Sequence, residues 1–506
     1  MKKKIIFLVS IVLLAMLIGI SVKINNKKQI STDDNVGFEP AIEVSGYKIK
    51  SHQRDNVYYI FVPKNVDISD LKIYFNIDIN STTSGKLDQI NDTLKNNFNK
   101  NDEVIVKGKN DEQYTIKVMQ SDIPSICINL DNVSLETVTK GSKEDKYSGF
   151  LQVIGANEDK YNITDKIIEL KGRGNSTWEF EKKPFQIKFK ESENLLGLNG
   201  SAQKWVLLAN HADKTLMKNQ LSFDIQQQIG LSNSVQGTFI DLYINGEFLG
   251  NYTLCDKIEI GESRIDLKNP EGFISEIDVR YGNEEEYNFT SEITQTLFVI
   301  KDVVNKNEYE NTCIEFEKII NKFEKLLYVE NPNWTEITDI IDVESFAKYY
   351  FLTELEHDTD RFLSSTFLYK DGENDKLHIG PIWDSDLAYK AKDTNDDYNL
   401  NFIENHKEYA RREKTQIKHD WYNQLYKHKE FVDLLYKTYE ESIKPVYIQL
   451  IANIDKHVQS MPKSINMNTI RWEEKHGGID TYKRELKILK DWLQDRIDYL
   501  NRRYSK

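Results

Sequence analysis

Two aspartates stand two positions apart in Trp383-Asp384-Ser385-Asp386, at the end of the apolar run Leu377 to Trp383. On an extended chain such residues point the same way, so both carboxylates can face one cation. Hard divalent ions such as Mg²⁺ take carboxylate oxygens and keep positions open for water or phosphate. A solvated surface turn has the same spelling, and only the place after a strand favours a site. A second acidic cluster, Glu356-His357-Asp358-Thr359-Asp360-Arg361, falls between an aromatic helix and the run Ser365–Tyr369. A loop carboxylate there, Asp360 above all, can orient a hydroxyl and accept its proton; a plain polar connection explains it equally well.

A third candidate is Gly172-Arg173-Gly174-Asn175-Ser176-Thr177, followed by Lys182-Lys183-Pro184-Phe185-Gln186-Ile187-Lys188. Two glycines let backbone N–H groups approach phosphates, and a lysine on the next strand adds positive charge. The spelling matches neither G-x-x-x-x-G-K-[ST] nor G-x-G-x-x-G, and a β-turn with cationic flanks is the plain alternative. In Asn210-His211-Ala212-Asp213-Lys214, Asp213 reads as the N-cap of a helix from Lys214 to Ile229, so this segment is assigned to scaffold. A glycosidase with Asp360 and Asp384 as its carboxylate pair is the main enzymatic rival. It leaves the Gly-Arg-Gly loop and the lysine strand without a purpose.

The elements that must carry these residues read as strands followed by helices. Alternating runs at Tyr58–Val62, Leu71–Phe75, Glu103–Val106 and Tyr114–Val118, separated by turn-rich stretches, predict a small β-sandwich over residues 44–122. A mixed unit follows over 123–400. Its strands include Phe185–Phe189 and Phe239–Ile244, and Asn245-Gly246 marks a hairpin. Helix is expected from about Val343, a strand pair at Ser365–Tyr369 and Leu377–Trp383, and a mainly helical part over 401–506. The fold class is α+β.

Composition narrows the function. The chain has 506 residues and a formal net charge of −14. The first 29 residues hold six lysines and no acid, which leaves −20 on the remainder. An acidic body of this kind does not suit nucleic acid, whose binding needs clustered Lys and Arg. Met1–Val22 is three lysines ahead of 18 uncharged residues, about 27 Å as a helix. Residues 1–29 are therefore expected to be a signal peptide or a signal anchor, and residues 30–43 a polar tether. The body is then expected outside the cytoplasm, either anchored in the membrane through residues 5–22 or secreted after cleavage. Membrane contact is expected through that segment alone. Cys127, Cys255 and Cys313 are too few and too scattered for a disulfide framework or a zinc site, and read as buried thiols.

Taken together, several blocks resemble the spore coat protein H (CotH) kinase family: Lys171–Trp178, Lys182–Phe189, Lys204–Ile225, Asp241–Leu254, Phe273–Asp278, Asp358–Asp371 and Gly380–Tyr389. The resemblance covers roughly residues 124–400. It implies an atypical, two-lobed protein-kinase-like domain with a helical C-terminal part, transferring the γ-phosphoryl group of ATP to Ser/Thr hydroxyls of a surface or coat protein. By that resemblance Asp360 matches the catalytic-loop aspartate and Asp384 the metal-binding aspartate, for Mg²⁺ or Mn²⁺, with Asp386 assisting. Arg173 and Ser176 would lie near phosphates, the phosphate lysine is Lys183 or Lys188, and Asp241–Ile258 resembles the region where adenine docks. One departure stands out: Ser365 stands where that family's asparagine would hold a second metal, a place its hydroxyl can fill as a metal ligand with shorter reach. With the leader, this keeps open a non-catalytic surface protein on a kinase scaffold.

Overall fold

The computed structural model describes residues 37–389, 403 and 419–505; the leader lies outside them. Alternation in the first segment gives two five-stranded sheets. One runs Tyr47–Lys50, Ala41–Val44, Leu71–Tyr74, Thr93–Asn96, Lys86–Asp88, so its first strand begins inside the stretch expected as tether. The other runs His52–Arg54, Val57–Val62, Gln113–Gln120, Glu103–Gly108, Ile79–Thr82. Their inward residues, among them Ile42, Ile60, Ile73, Val106 and Ile116, form one apolar core.

That core does not stop at the module. Tyr243, Phe248 and Met467, from later elements, are buried in it, and Tyr47 Oη accepts the Gly246 N–H at 2.9 Å. The segment therefore packs as an integral layer.

The next strands close into a seven-stranded barrel. Its order is Ser125–Leu130, Lys146–Ile154, Ile163–Gly172, Phe185–Glu193, Ala202–Leu208, Glu247–Asp256, Gly237–Ile244, and the last pairs in parallel with the first. Asn245 (φ 50°) and Gly246 (φ 81°) make the left-handed pair that a two-residue hairpin turn requires. Phe185, Ile187, Phe189, Trp205, Leu207 and Leu254 fill the barrel. Closing the sheet removes the open edges that a free sheet would expose.

The helix after Asp213 spans Lys218–Gln228, starting four residues later than the spacing suggested. Asp213 still serves its start, accepting the Lys218 N–H at 2.8 Å and the Thr215 N–H at 2.8 Å.

A further, antiparallel sheet of five strands runs Asn288–Thr290, Leu297–Val303, Phe273–Ile277, Thr366–Lys370, His378–Ile382. Helices Tyr309–Leu327 and Val343–Glu356 cover it, and the C-terminal helices from Trp421 to Tyr504 extend the same core. A smaller apolar cluster joins the barrel wall (Val206, Leu208, Cys255) to Phe223, Ile274, Phe367 and Trp383. This junction fixes the Asp384 loop against the barrel. Cys127 and Cys255 are buried, Cys313 is half-buried, and all three are free thiols. No helix among the described residues is long and apolar enough to cross a membrane.

Candidate active site

At that junction lies a narrow cleft of about 440 Å³, counted out to solvent, lined by Arg173, Gly174, Lys182, Asn210, His211, Trp383, Asp384 and Asp386 among others. The barrel contributes the Gly-Arg-Gly loop, and the end of the His378–Ile382 strand contributes the two aspartates. The Arg173 guanidinium lies over the Trp383 ring, 5.0 Å from its centroid. Loss of water lowers Arg173, with Asp384 and Asp386 among the groups that oppose the shift. Gly174 (φ 83°) has no room for a side chain: a Cβ there would fall 1.9 Å from Thr177 Oγ1.

The aspartate loop is pinned by buried polar groups rather than by apolar packing alone. Arg361 is fully buried. Its Nε donates to Glu356 Oε2 at 2.7 Å, its Nη2 to Ser385 Oγ at 2.7 Å, and its Nη1 to the Trp383 carbonyl. Glu356 Oε1 also accepts from Ser222 Oγ at 2.6 Å and Ser385 Oγ at 3.0 Å. Asn219 Oδ1 accepts the Ser385 N–H at 2.8 Å, and its Nδ2 donates to Asp386 and to Asn210 Oδ1. Each buried donor and acceptor here fixes a neighbour, which is how polar networks specify one arrangement.

Two of the residues lining the cleft, Asn210 (φ 51°) and Asp384 (φ 61°), adopt the left-handed region without being glycine, and Asn210 is held there by hydrogen bonds from its Nδ2 to the Leu216 carbonyl at 3.1 Å and Thr253 Oγ1 at 3.0 Å.

The charges of the two aspartates oppose each other. Asp386 is half-buried and its carboxyl is pushed up to about 7, first by lost hydration and then by Asp384 and Asp213. Asp384 is exposed on one side, yet lost hydration also raises it, against the pull of Arg361 and Arg173. Two carboxylates that disfavour each other's charge are a donor set a hard divalent cation would relieve. No group of three or more His, Cys, Asp or Glu poised for a metal exists among the described residues. Asp384 and Asp386 are the two carboxylates that line the cleft.

Asp360 sits in the short helical turn Thr359–Phe362, capped by Asp358, which accepts the Asp360 N–H at 3.0 Å. Burial pushes the Asp358 carboxyl up to about 7. Both oxygens of Asp360 are taken by Arg280, from Nη1 at 3.1 Å and Nη2 at 2.6 Å. The electrostatic influence of both groups reaches Asp384.

The residues singled out in the sequence divide accordingly. Arg173, Asp384 and Asp386 line the cleft; Asp360 is not among its lining residues, and its charge reaches Asp384. Ser176 and Lys183 line a neighbouring groove with Lys143 and Tyr281; Lys183 donates to the Trp178 carbonyl and lies 4.9 Å from that ring's centroid. Lys188 is exposed on the outer face of the Phe185–Glu193 strand and reaches no part of the cleft. Ser365 gives its N–H to Glu276 Oε1 at 3.1 Å and is not among the residues lining the cleft.

The lysine that does line it is Lys182, passed over in the sequence. It is fully buried, donates to the Asn251 carbonyl at 2.6 Å and to Asn468 Oδ1 at 3.0 Å, and lies 4.8 Å from the Tyr252 centroid. Burial pushes it down to about 7, with Asp241, Asp213 and Asp386 opposing. His211 stacks on Phe180 at 4.6 Å and faces His476, Nδ1 to Nε2 at 3.1 Å.

With this geometry in view, sequence comparison defines the class. The family model for CotH kinase protein matches residues 170–500. The chain belongs to the CotH kinase family. The match starts in the third barrel strand, so the sandwich and the first two barrel strands precede it. Among solved structures, the Helicobacter pylori proinflammatory kinase CtkA is similar at 13% identity, covering 75% of this chain and 97% of that one, with a TM-score of 0.28. A search of curated proteins finds no match.

Proposed function

We propose that the chain is an ATP-dependent protein kinase acting on Ser/Thr hydroxyls. The observation that carries this reading is the convergence in one cleft of Arg173, Gly174 and Lys182 with Asp384 and Asp386, in a chain of the CotH kinase family. Phosphoryl transfer needs little covalent chemistry from a protein, only alignment and compensation of charge. Asp384 and Asp386 would hold Mg²⁺ or Mn²⁺, which when bound supplies neutralisation of phosphate charge. Lys182 and Arg173 supply protein cations to the phosphates, and the Gly174 loop gives backbone N–H groups room to approach. The acceptor hydroxyl oxygen forms a bond to the γ-phosphorus as the bond from that phosphorus to the β,γ-bridging oxygen breaks, ADP leaves, and the hydroxyl proton passes to Asp360. The lysine-fronted apolar leader supports an extracytoplasmic location for this activity.

One observation favours a second reading, a nucleotide-binding protein without transfer: Arg280 occupies both oxygens of Asp360. Incubation of the purified chain with γ-labelled ATP and Mg²⁺ or Mn²⁺, with an acceptor protein, separates the two. Label that disappears in Asp360→Asn and Asp384→Ala supports the kinase. Nucleotide binding without label supports the second reading, and neither label nor binding refutes both.

A further inference from the structure

The cleft lysine is held in an unusual way. Lys182 has no carboxylate within ion-pair distance among the described residues; its two acceptors are a backbone carbonyl and the amide of Asn468. Asn468 belongs to the helix Pro462–Arg471, far along the chain. The same Oδ1 also accepts the Asn251 N–H at 3.1 Å, so one oxygen ties the Glu247–Asp256 strand and the lysine together.

The helix comes this close because of Gly250. Its φ of 102° is one an L side chain rarely adopts, and a Cβ there would lie 2.4 Å from Asn468 Oδ1. Two more side chains fasten the helix end to the strand: Arg471 Nε donates to the Phe248 carbonyl and Trp472 Nε1 to the Leu249 carbonyl, both at 2.9 Å.

The other end of the helix is fastened by the segment that leaves the β-sandwich. Asp122 accepts the N–H groups of Lys463 at 2.7 Å and Ser464 at 3.1 Å, capping the first turn from outside the helix. Ser121 Oγ and Ser464 Oγ donate to the two oxygens of buried Asp241, at 2.6 and 2.7 Å. Ser464 also accepts from Asn251 Nδ2 at 3.0 Å. Ser464 and Asn468 are four apart, so they share a helix face toward the strand. Met467, on the same helix, is buried in the sandwich core.

We propose that Asn468 is the positioning residue for Lys182, and that the Ser121–Asp122 junction sets Asn468 by capping its helix, which makes the sandwich part of the machinery that shapes the cleft. Asp122 lies outside the family-matched residues 170–500. The proposal builds on the reading of the cleft as a nucleotide site, but the anchor itself is measurable without nucleotide.

The test is trace acetylation of the full chain, with modification of Lys182 quantified by peptide mass spectrometry. Lys370 serves as the internal reference, since its Nζ is held by the Glu373 and Asp375 carbonyls in a separate loop. Asn468→Ala should raise the Lys182/Lys370 rate ratio by about tenfold or more, the scale of losing a hydrogen bond to a charged group. Asn468→Asp retains an acceptor oxygen and should leave the ratio at or below wild type. Asp122→Ala should raise it, and Asp122→Asn, which can still cap, should largely restore it. Should Asn468→Ala fail to fold, the two Asp122 variants with Asn468→Asp decide. An unchanged ratio in Asn468→Ala and Asp122→Ala, or an equal rise at Lys370, overturns the proposal. Titration with ATP–Mg²⁺ runs beside it. A ratio that responds in a protein that binds no ATP keeps the anchor and refutes the nucleotide reading. Weakened ATP binding with an unchanged ratio refutes the anchor instead.

Discussion

Arg361 is the residue on which the aspartate loop most depends, and its removal has a calculable consequence. Its side chain and that of Glu356 are both at 0% exposure, joined at 2.7 Å. Burying such a pair gives little net stability by itself, because the cost of dehydrating both ions roughly cancels their attraction. Breaking it is another matter. Among the described residues, Arg361→Met leaves Glu356 with the hydroxyls of Ser222 and Ser385 as its donors, and also frees the Trp383 carbonyl and Ser385 Oγ. An uncompensated buried charge of this kind costs about 3–5 kcal/mol. At roughly 2–4 °C per kcal/mol for a unit of 150–250 residues, the transition should fall by about 6–20 °C.

The partner change tells the mechanism apart from simple loss of packing. In Arg361→Met/Glu356→Gln neither member of the pair is charged, so the double variant should recover about 2 kcal/mol relative to the sum of the singles. Calorimetry on wild type, both singles and the double closes the cycle. Independent, additive losses would show that Arg361 matters by filling space, and the account of a charge-pinned loop would be wrong. A loss below about 1 kcal/mol in Arg361→Met would refute it outright.

Three further outcomes follow from particular residues. His476 is pushed down to about 3 by burial, Lys182, His211 and Lys214. The unfolded chain therefore takes up a proton near pH 6.5 that the folded one refuses, and stability should fall as pH drops from 6.5 toward 3, by at most about 1.4 kcal/mol per pH unit from this group; in His476→Gln, urea midpoints should show a shallower acid slope. Gly250→Ala should destabilise by more than the roughly 1–2 kcal/mol of placing a non-glycine residue at positive φ, since its Cβ also strikes Asn468, and thermal melts that match wild type would refute the close approach. Ser365→Asn places a residue tolerant of left-handed backbone at φ 56° and should raise the melting temperature slightly, whereas Ser365→Val should lower it.

Much of this architecture is legible in the chain because local signals and tertiary need agree there. Asn245-Gly246 has flanking strands that need a tight right-twisting turn, so the dipeptide alone locates the hairpin. The aromatic helix spans Val343–Glu356 with Asp342 accepting the Ser345 N–H at 2.7 Å, a start the sequence can carry in a few residues. The same period-two rule also held the answer for Lys188. Phe185, Ile187 and Phe189 point inward, so Lys188 between them must point out. Likeness to a kinase strand competed with that alternation, and the alternation describes the position observed. Lys182 is the opposite case. It precedes Pro184 in a loop where no periodicity applies, and what buries it are Asn251 and Asn468, 69 and 286 residues away. A lysine whose environment is assembled from a barrel strand and a distant helix leaves no mark on its neighbours in sequence. Arg280 is hidden for the same reason: nothing near it in the chain announces that both oxygens of Asp360 will be its partners. Residues that act within one element can be read from the chain, and those that join elements become visible only when the elements are packed.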